Sequence, residues 1–342
     1  MTRQRLETLL SRFSDVSILV MGDYFLDKYV ALDPDLTEVS VETGLDAYQV
    51  AEIRTSPGAV GTVANNLSAL GVGTIQALTV IGQDGEGYDL KRGLSAIGVR
   101  TDGVIETPEL FTPTYMKPMM REKTGEREMN RLDTKNRKAL PSDVEDQVIA
   151  RLRELAPQVQ AIIIGDQVHE ANCGVMTERV KAEITAIGQE RPDLFILADS
   201  RARIGTFRDV VLKSNRSEAA HVVVPGHTGP IDRVLAERCA RTLFERTGRP
   251  VIVTLSEEGT LIVTADGCTP VAAIPVSGPI DPCGAGDSTT AGLVASVCAG
   301  ATLNEGVLVG HLTASITVQQ LGTTGTASPE QLLRRYDERF GE

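Results

Sequence analysis

Apolar residues arrive in short, undivided runs along this chain: VSILVMG from Val16, IQALTVIG from Ile75, AIIIGD from Ala161, LFILAD from Leu194, HVVVPG from His221 and VIVTLS from Val251. Each is too short for an ordinary helix and does not alternate apolar with polar, which is the pattern of a strand buried on both faces. Between them, apolar positions recur at helical spacing over 63–70, 143–155, 175–189 and 231–247. Strand and helix alternating in this way predict an α/β fold, a doubly wound, mostly parallel sheet flanked by helices.

Two segments break the rhythm. Residues 28–54 and the stretch TPTYMKPMMREKTGEREMNRLD at 112–133 alternate polar and β-prone residues, and the second reads as a hairpin turning at 123–126. Together they predict a small β-sheet inserted at about 28–54 and 112–131, placed as a lid over the carboxyl ends of the strands, where ligands of such sheets bind. The length, 342 residues, suits one domain over 1–342 with that lid as its appendage.

Charge narrows the partners. The formal net charge of -12 repels nucleic-acid phosphates and anionic lipid, so neither nucleic acid nor membrane is expected. An anionic substrate must then be held by local cations and backbone N–H groups. Five widely spaced cysteines form neither a C-x-x-C pair nor a zinc pattern, and free thiols in a cytoplasmic protein are expected. No apolar run reaches the length of a membrane span, and the apolar stretch near the N-terminus reads as a strand rather than a signal peptide.

The stretch DPCGAGDSTTAGLV, Asp281 to Val294, carries the chemistry. Its glycines let several N–H groups point one way, and the helix that follows adds a dipole favouring an anion. It is not a Walker A loop, since the chain has no Gly-Lys dipeptide, and GVGTIQ at Gly71 fails the dinucleotide fingerprint at Gln76. Asp287 places a carboxylate beside this cradle. From the local sequence two readings stand: a base taking the proton of a substrate hydroxyl, or a cap for a helix beginning at Ser288.

Six further pieces stand in the order found in the ribokinase-like, phosphofructokinase B type carbohydrate kinases, which the chain resembles over nearly its whole length. They are VMGDYFLDKY, SPGAVGTVANNLSALGV, VIGQDGEGYDLKRGLSAIGV, SNRSEA, VTLSEEG and ASITVQQLGTTGTASP. Within that family RLD at 131–133, TLSEEG at 254–259 and QQLGTTGTASP at 319–329 look most like the kinase domain of the bifunctional ADP-heptose synthesis enzymes. The H-x-G-H motif of the partner nucleotidyltransferase half cannot be drawn from His169, His221, His227 and His311, and that half is expected to be absent.

The resemblance implies an ATP-dependent phosphotransferase acting on a hydroxyl of a sugar or sugar phosphate. Asp287 would be the catalytic base, with Gly284, Ala285 and Gly286 as the anion hole. Asn215 and Glu218 would help order Mg²⁺, directly or through water, near the ATP phosphates; Ser256 and Gly259 would lie at the nucleotide, Arg201 near its phosphates, and His311 would stack on or hydrogen-bond the adenine. Taken singly, these residues also read as a turn with a solvated glutamate, an ordinary turn, an exposed arginine and a helix-surface histidine. Asp27, Asp23, Gly58 and Asp166 would meet the acceptor, and Asp281 and the backbone at Cys283, with the loop from Gly322 to Thr326, a monovalent cation, K⁺. A homodimer through the lid is implied as well.

The chain departs from the family pattern at Ala59 and Thr62, where a second glycine and an asparagine are usual. Two rival readings follow. A nucleoside kinase of the same fold would want aromatic side chains to stack a base, yet aromatics are 4% of the chain and tryptophan is absent. A non-catalytic sugar- or nucleotide-sensing protein would suit the departures but not the intact Asp287, Asn215 and Glu218.

Overall fold

In the computed structural model, which describes residues 1–322 and 324–341, the undivided apolar runs become the central strands. The chain begins with α1 (Arg3–Leu10), β1 (Ser17–Gly22), β2 (Tyr24–Val39), β3 (Asp46–Ala59), α2 (Val60–Ala69), β4 (Thr74–Gly82), α3 (Gly85–Ala96) and β5 (Arg100–Thr107). There follow β6 (Thr114–Glu122), β7 (Gly125–Glu128), β8 (Leu132–Thr134), α4 (Ser142–Leu155), β9 (Ala161–Asp166), α5 (Glu178–Glu190), β10 (Phe195–Ser200) and β11 (Val211–Asn215). The last part runs α6 (Arg216–Val223), α7 (Arg233–Thr247), β12 (Val251–Thr254), β13 (Thr260–Thr264), β14 (Gly267–Val271), α8 (Ala285–Cys298), α9 (Leu303–Thr317) and α10 (Pro329–Phe340).

Among the described residues the main sheet is ordered β14-β13-β12-β11-β10-β9-β1-β4-β5. It is parallel from β12 to β5, and only β13 runs against the rest, pairing antiparallel with both β12 and β14. From β1 the chain winds outward through β4 to β5, then returns to β9 on the other side of β1 and winds the opposite way. That reversal makes the carboxyl ends of β1 and β9 the crevice where ligands of such sheets bind. Two apolar layers, one on each face, hold the helices to the sheet.

One expected strand is a helix. HVVVPG at 221–226 closes α6 and the loop after it, while the strand at this position is VLKSN, Val211–Asn215. The reason is local. Asn215 accepts the N–H groups of Ser217 and Glu218, and the Glu218 carboxylate accepts the Asn215 N–H, a capping box that starts a helix directly after β11. The three valines then fall on its last turn and beyond.

The accessory sheet is ordered β3-β2-β6-β7, with β8 paired to β6. It spans 24–59 and 114–134, wider than the sequence pattern suggests, because β2 and β3 run unbroken from the strand ends of the main sheet into the appendage. The hairpin of β6 and β7 turns between Glu122 and Gly125.

Candidate active site

The helix α8 starts at Ala285, one residue before the cradle's last glycine. Its N-cap is Gly284, at φ 77 and ψ 0, with no side chain capping the turn. A left-handed cap here favours glycine. Ser288 N–H bonds to Gly284 O, and Ala285 N–H is engaged by Pro282 O at 3.1 Å. The N–H groups of Gly284, Gly286 and Asp287 have no such acceptor among the described residues and lie at the positive end of the helix dipole. Ala285, expected in the anion hole, is therefore corrected: its N–H closes the turn instead of facing a ligand. The cap reading of Asp287 falls too, since Asp287 lies in the first turn of the helix and caps nothing.

The Asp287 side chain is half-buried and has no hydrogen-bond partner among the described residues. Burial first, then the charge of Asp199, push its carboxyl up to about 7, against the pull of Lys213 and Arg201. Lys213 was not visible as a site residue in the sequence. It projects from β11 with its side chain 3% exposed, and its Nζ lies 2.6 Å from Asp199 Oδ2. A Cβ on Gly286 would come within 3.4 Å of the same Nζ, so the ammonium stands beside the cradle. Burial works against the charged lysine, and Asp199 outweighs it to raise its pKa. Arg201 is exposed, with no ion-pair partner among the described residues, and its charge reaches both Asp287 and Glu218.

Glu218 is raised by burial and by Asp199. One of its oxygens accepts the Asn215 N–H at 2.8 Å, and the other is open. Asn215 is different. Its side-chain oxygen accepts two N–H groups at 2.9 Å, leaving only its NH₂ free, so a direct Mg²⁺ ligand role is corrected to a cap that can donate to an anion or a water. Among the described residues no three His, Cys, Asp or Glu side chains gather as a metal nest. A Mg²⁺ bound beside Glu218 would take its remaining ligands from phosphate oxygens and water, as this ion usually does.

Ser256 and Gly259 follow β12 at its carboxyl end. Gly259 has φ 95, and a Cβ there would lie 2.2 Å from Val271 O, so the turn closes tightly on the strand beside it. His311 is corrected as a hydrogen-bond partner of the adenine. Its Nδ1 is 2.9 Å from Ala272 O and its Nε2 2.7 Å from the Thr260 hydroxyl, so both nitrogens tie α9 to the sheet edge, and burial lowers its pKa.

On the acceptor side, Asp27 rises from β2 and meets Lys117 Nζ of β6 at 3.2 Å. Lys117 also bonds the Tyr29 hydroxyl at 3.1 Å. Gly58 packs directly on this carboxylate: a Cβ there would lie 2.4 Å from Asp27 Oδ2. Burial first, then the charge of Asp281, raises the Cys283 thiol, and the charges of Lys117, Asp27 and Asp287 also reach it.

Asp23 and Asp166 are corrected as acceptor ligands. Asp23 accepts the backbone N–H groups of Gln167, Val168 and Val175, tying β1 to the loop after β9. Burial and the nearby Asp166 raise it to about 6 despite those bonds. Asp166 is fully buried, bonded to the Ser200 hydroxyl at 2.6 Å and to Arg203. Both carboxylates brace the strand ends and turn no open oxygen to a sugar.

The departure at Ala59 has a structural signature. Ala59 is the N-cap of α2 at φ 51 and ψ -122, a backbone region comfortable for glycine alone. Such a residue stores about 1–3 kcal/mol and persists where its surroundings over-determine it. Here they do. A Cβ on Gly165 would strike Val60 Cγ2 at 2.0 Å, and one on Gly61 would meet Pro57 at 2.7 Å, so the flanking residues are wedged in place. Thr62 is buried, and its methyl lies 3.4 Å from where a Cβ on Gly284 would stand.

Of the residues expected around K⁺, Asp281 turns one oxygen back onto the Cys283 N–H at 3.0 Å, and Gly322 takes a left-handed turn at φ 73. Residue 323, inside the loop expected to complete that site, lies outside the described residues. No helix among the described residues is long and apolar enough to cross a membrane.

A family model described as pfkB family carbohydrate kinase matches residues 29–331. The bifunctional protein HldE of Trichlorobacter lovleyi is 29% identical over 340 residues, covering 97% of this chain and 65% of its own length. The HldE of Geobacter metallireducens is 28% identical with the same coverage. This chain thus spans 65% of the length of these curated relatives. Among solved structures, phosphofructokinase-2 of Escherichia coli in complex with fructose-6-phosphate superposes with a TM-score of 0.70 at 18% identity, covering 95% of this chain and 99% of that one. Ribokinase of Thermotoga maritima superposes at 0.66, also at 18% identity, over 94% and 99% of the two chains. These likenesses establish the ribokinase-like fold.

Proposed function

From its membership of the pfkB family of carbohydrate kinases, to which this chain belongs, we infer that it transfers the γ-phosphoryl group of ATP to a hydroxyl of a sugar or sugar phosphate. The observation that carries the reading is the open end of α8: free N–H groups at Gly284 and Gly286, with the unpartnered Asp287 carboxyl one residue on.

In this reading Asp287 accepts the hydroxyl proton as the oxygen attacks the γ-phosphorus in line and the bond to the bridging oxygen of ADP breaks. The Gly284 and Gly286 N–H groups hold the phosphoryl oxygens as charge moves through them. Lys213, fixed by Asp199 and beside Gly286, adds a preorganised cation there, and Arg201 supplies a second, exposed one. Mg²⁺, ordered from the open oxygen of Glu218, would neutralise the phosphates. Asp27, steadied by Lys117, holds another hydroxyl of the acceptor, since a carboxylate accepts several such bonds. The lid excludes water, which limits futile hydrolysis of ATP.

The lid also bears the exposed apolar residues Leu36, Val39, Val50 and Ile53, each more than half exposed. This surface suits a second copy of the chain. Light scattering of the intact chain, against a variant with Val39 and Ile53 changed to Ser, reads the dimer directly.

The test of the activity is steady-state ADP release with MgATP and a panel of sugars and phosphosugars. Acceptor-dependent release that disappears in Asp287→Asn supports the reading. Acceptor binding without release in the wild-type chain overturns it.

A further inference from the structure

Arg216 opens α6 at a point where Asn215 and Glu218 already supply the cap. A cation in the first turn of a helix works against the dipole, so α6 gains nothing from this charge. What the side chain reaches explains it. Its Nη1 donates to Ile231 O at 3.1 Å, just ahead of α7, and its Nη2 donates to Leu255 O and, at 2.6 Å, to Glu258 Oε1. One half-buried guanidinium thus ties the start of α6 to the approach to α7 and to the turn that follows β12.

That turn needs holding. Ser256 sits at φ 55 and Gly259 at φ 95, and a residue other than glycine at positive φ persists where its surroundings over-determine it. Asn215 and Thr254 are the last pair of the β11–β12 ladder, so sheet pairing stops just short of the turn. Arg216 carries the connection past that point. Both Nη2 hydrogens are spent on the turn, and Glu258 balances the charge, whereas Arg201 has no ion-pair partner among the described residues.

We propose that Arg216 is a positioning residue: without touching the nucleotide, it fixes the Ser256–Gly259 turn relative to the Asn215–Glu218 box, so that both grip one nucleotide at once. The inference rests on the kinase reading and deepens its nucleotide half. Glu258 then acts only through Arg216, as the anchor of its fork.

The test is calorimetric titration with MgATP, together with Tm and steady-state kinetics, on wild type, Arg216→Met, Glu258→Ala and the double variant. Arg216→Met is expected to weaken MgATP binding about tenfold, and Glu258→Ala about threefold. The double variant should match Arg216→Met within about twofold, because the two residues form one device. In turnover the loss falls on the KM for ATP and leaves that for the acceptor unmoved. Should Arg216→Met not fold, Arg216→Lys, which keeps the charge and gives up the fork, takes its place with a loss of about threefold.

Tighter MgATP binding in Glu258→Ala overturns the proposal, because a released Arg216 then meets the phosphates directly. A lowered Tm with unchanged affinity overturns it too, because the clip then serves stability alone, and so do additive losses in the double variant. If wild type binds MgATP but releases no ADP with any acceptor, the kinase reading alone falls, and the order of affinities still decides for or against Arg216. A wild-type chain that binds no MgATP overturns both.

Discussion

Two pairs of carboxylates lie within the same crevice and behave in opposite ways. Asp23 and Asp166 are buried and raised in pKa, yet three backbone N–H groups hold the first, and Ser200 with Arg203 holds the second. Asp287 and Glu218 are less enclosed, but one has no hydrogen-bond partner and the other keeps an open oxygen. Burial and a shifted pKa are therefore common to both pairs. What separates a brace from a candidate reactive group here is its unused hydrogen-bonding capacity.

The sharpest way to break this contrast is Asp287→Asn. It is expected to lower kcat by about 10²–10⁴-fold with the KM for ATP little changed. In wild type, kcat should rise with pH through about 7 and level off above it, because the base must be ionised. Folding raises this carboxyl above its ordinary value of 3.8, so the folded state keeps a proton that the unfolded chain has released. Stability then falls as pH climbs through that window, and Asp287→Asn should melt higher than wild type at pH 8, read by calorimetry.

Lys213→Met removes the fixed cation from the cradle and should reduce kcat/KM for ATP by about 100-fold in the same assay. Asp23→Asn tests the opposite pair. Replacing an acceptor of three N–H groups should cost about 3 kcal/mol of stability in a denaturant titration, while kcat of the folded fraction stays near wild type. A large kcat loss with unchanged stability would place Asp23 among the reactive groups after all. The smallest effect is expected from Gly58→Ala, which pushes on Asp27 and should raise the acceptor KM about tenfold without altering that for ATP.

Much of this was legible from the residue pattern. The central strands announce themselves because both faces are apolar, and the cradle because its glycines precede a helix. The exception is instructive: β11 hides because Lys213, Ser214 and Asn215 interrupt its apolar run, and the buried Lys213 is the very residue that the sequence reading missed. A basic residue two positions before an N-x-x-E element was the available clue. Asp23, Asp166 and His311 were misplaced for one shared reason. Sequence reveals which groups can form hydrogen bonds, but their partners lie more than thirty residues away and come together only in the fold. The strain at Ala59 is likewise a property of φ and ψ, and no residue pattern displays it.

Strand β2 is one continuous ribbon from Tyr24, buried at the crevice, to Val39, exposed at the outer rim, with irregular pairing to β3 at Ala31/Leu32 and Asp33/Glu38. Asp27 sits near the rooted end of this ribbon. A rotation of the strand about that end displaces its far tip much more than Asp27 itself. The two irregular points set how much of that lever stays stiff.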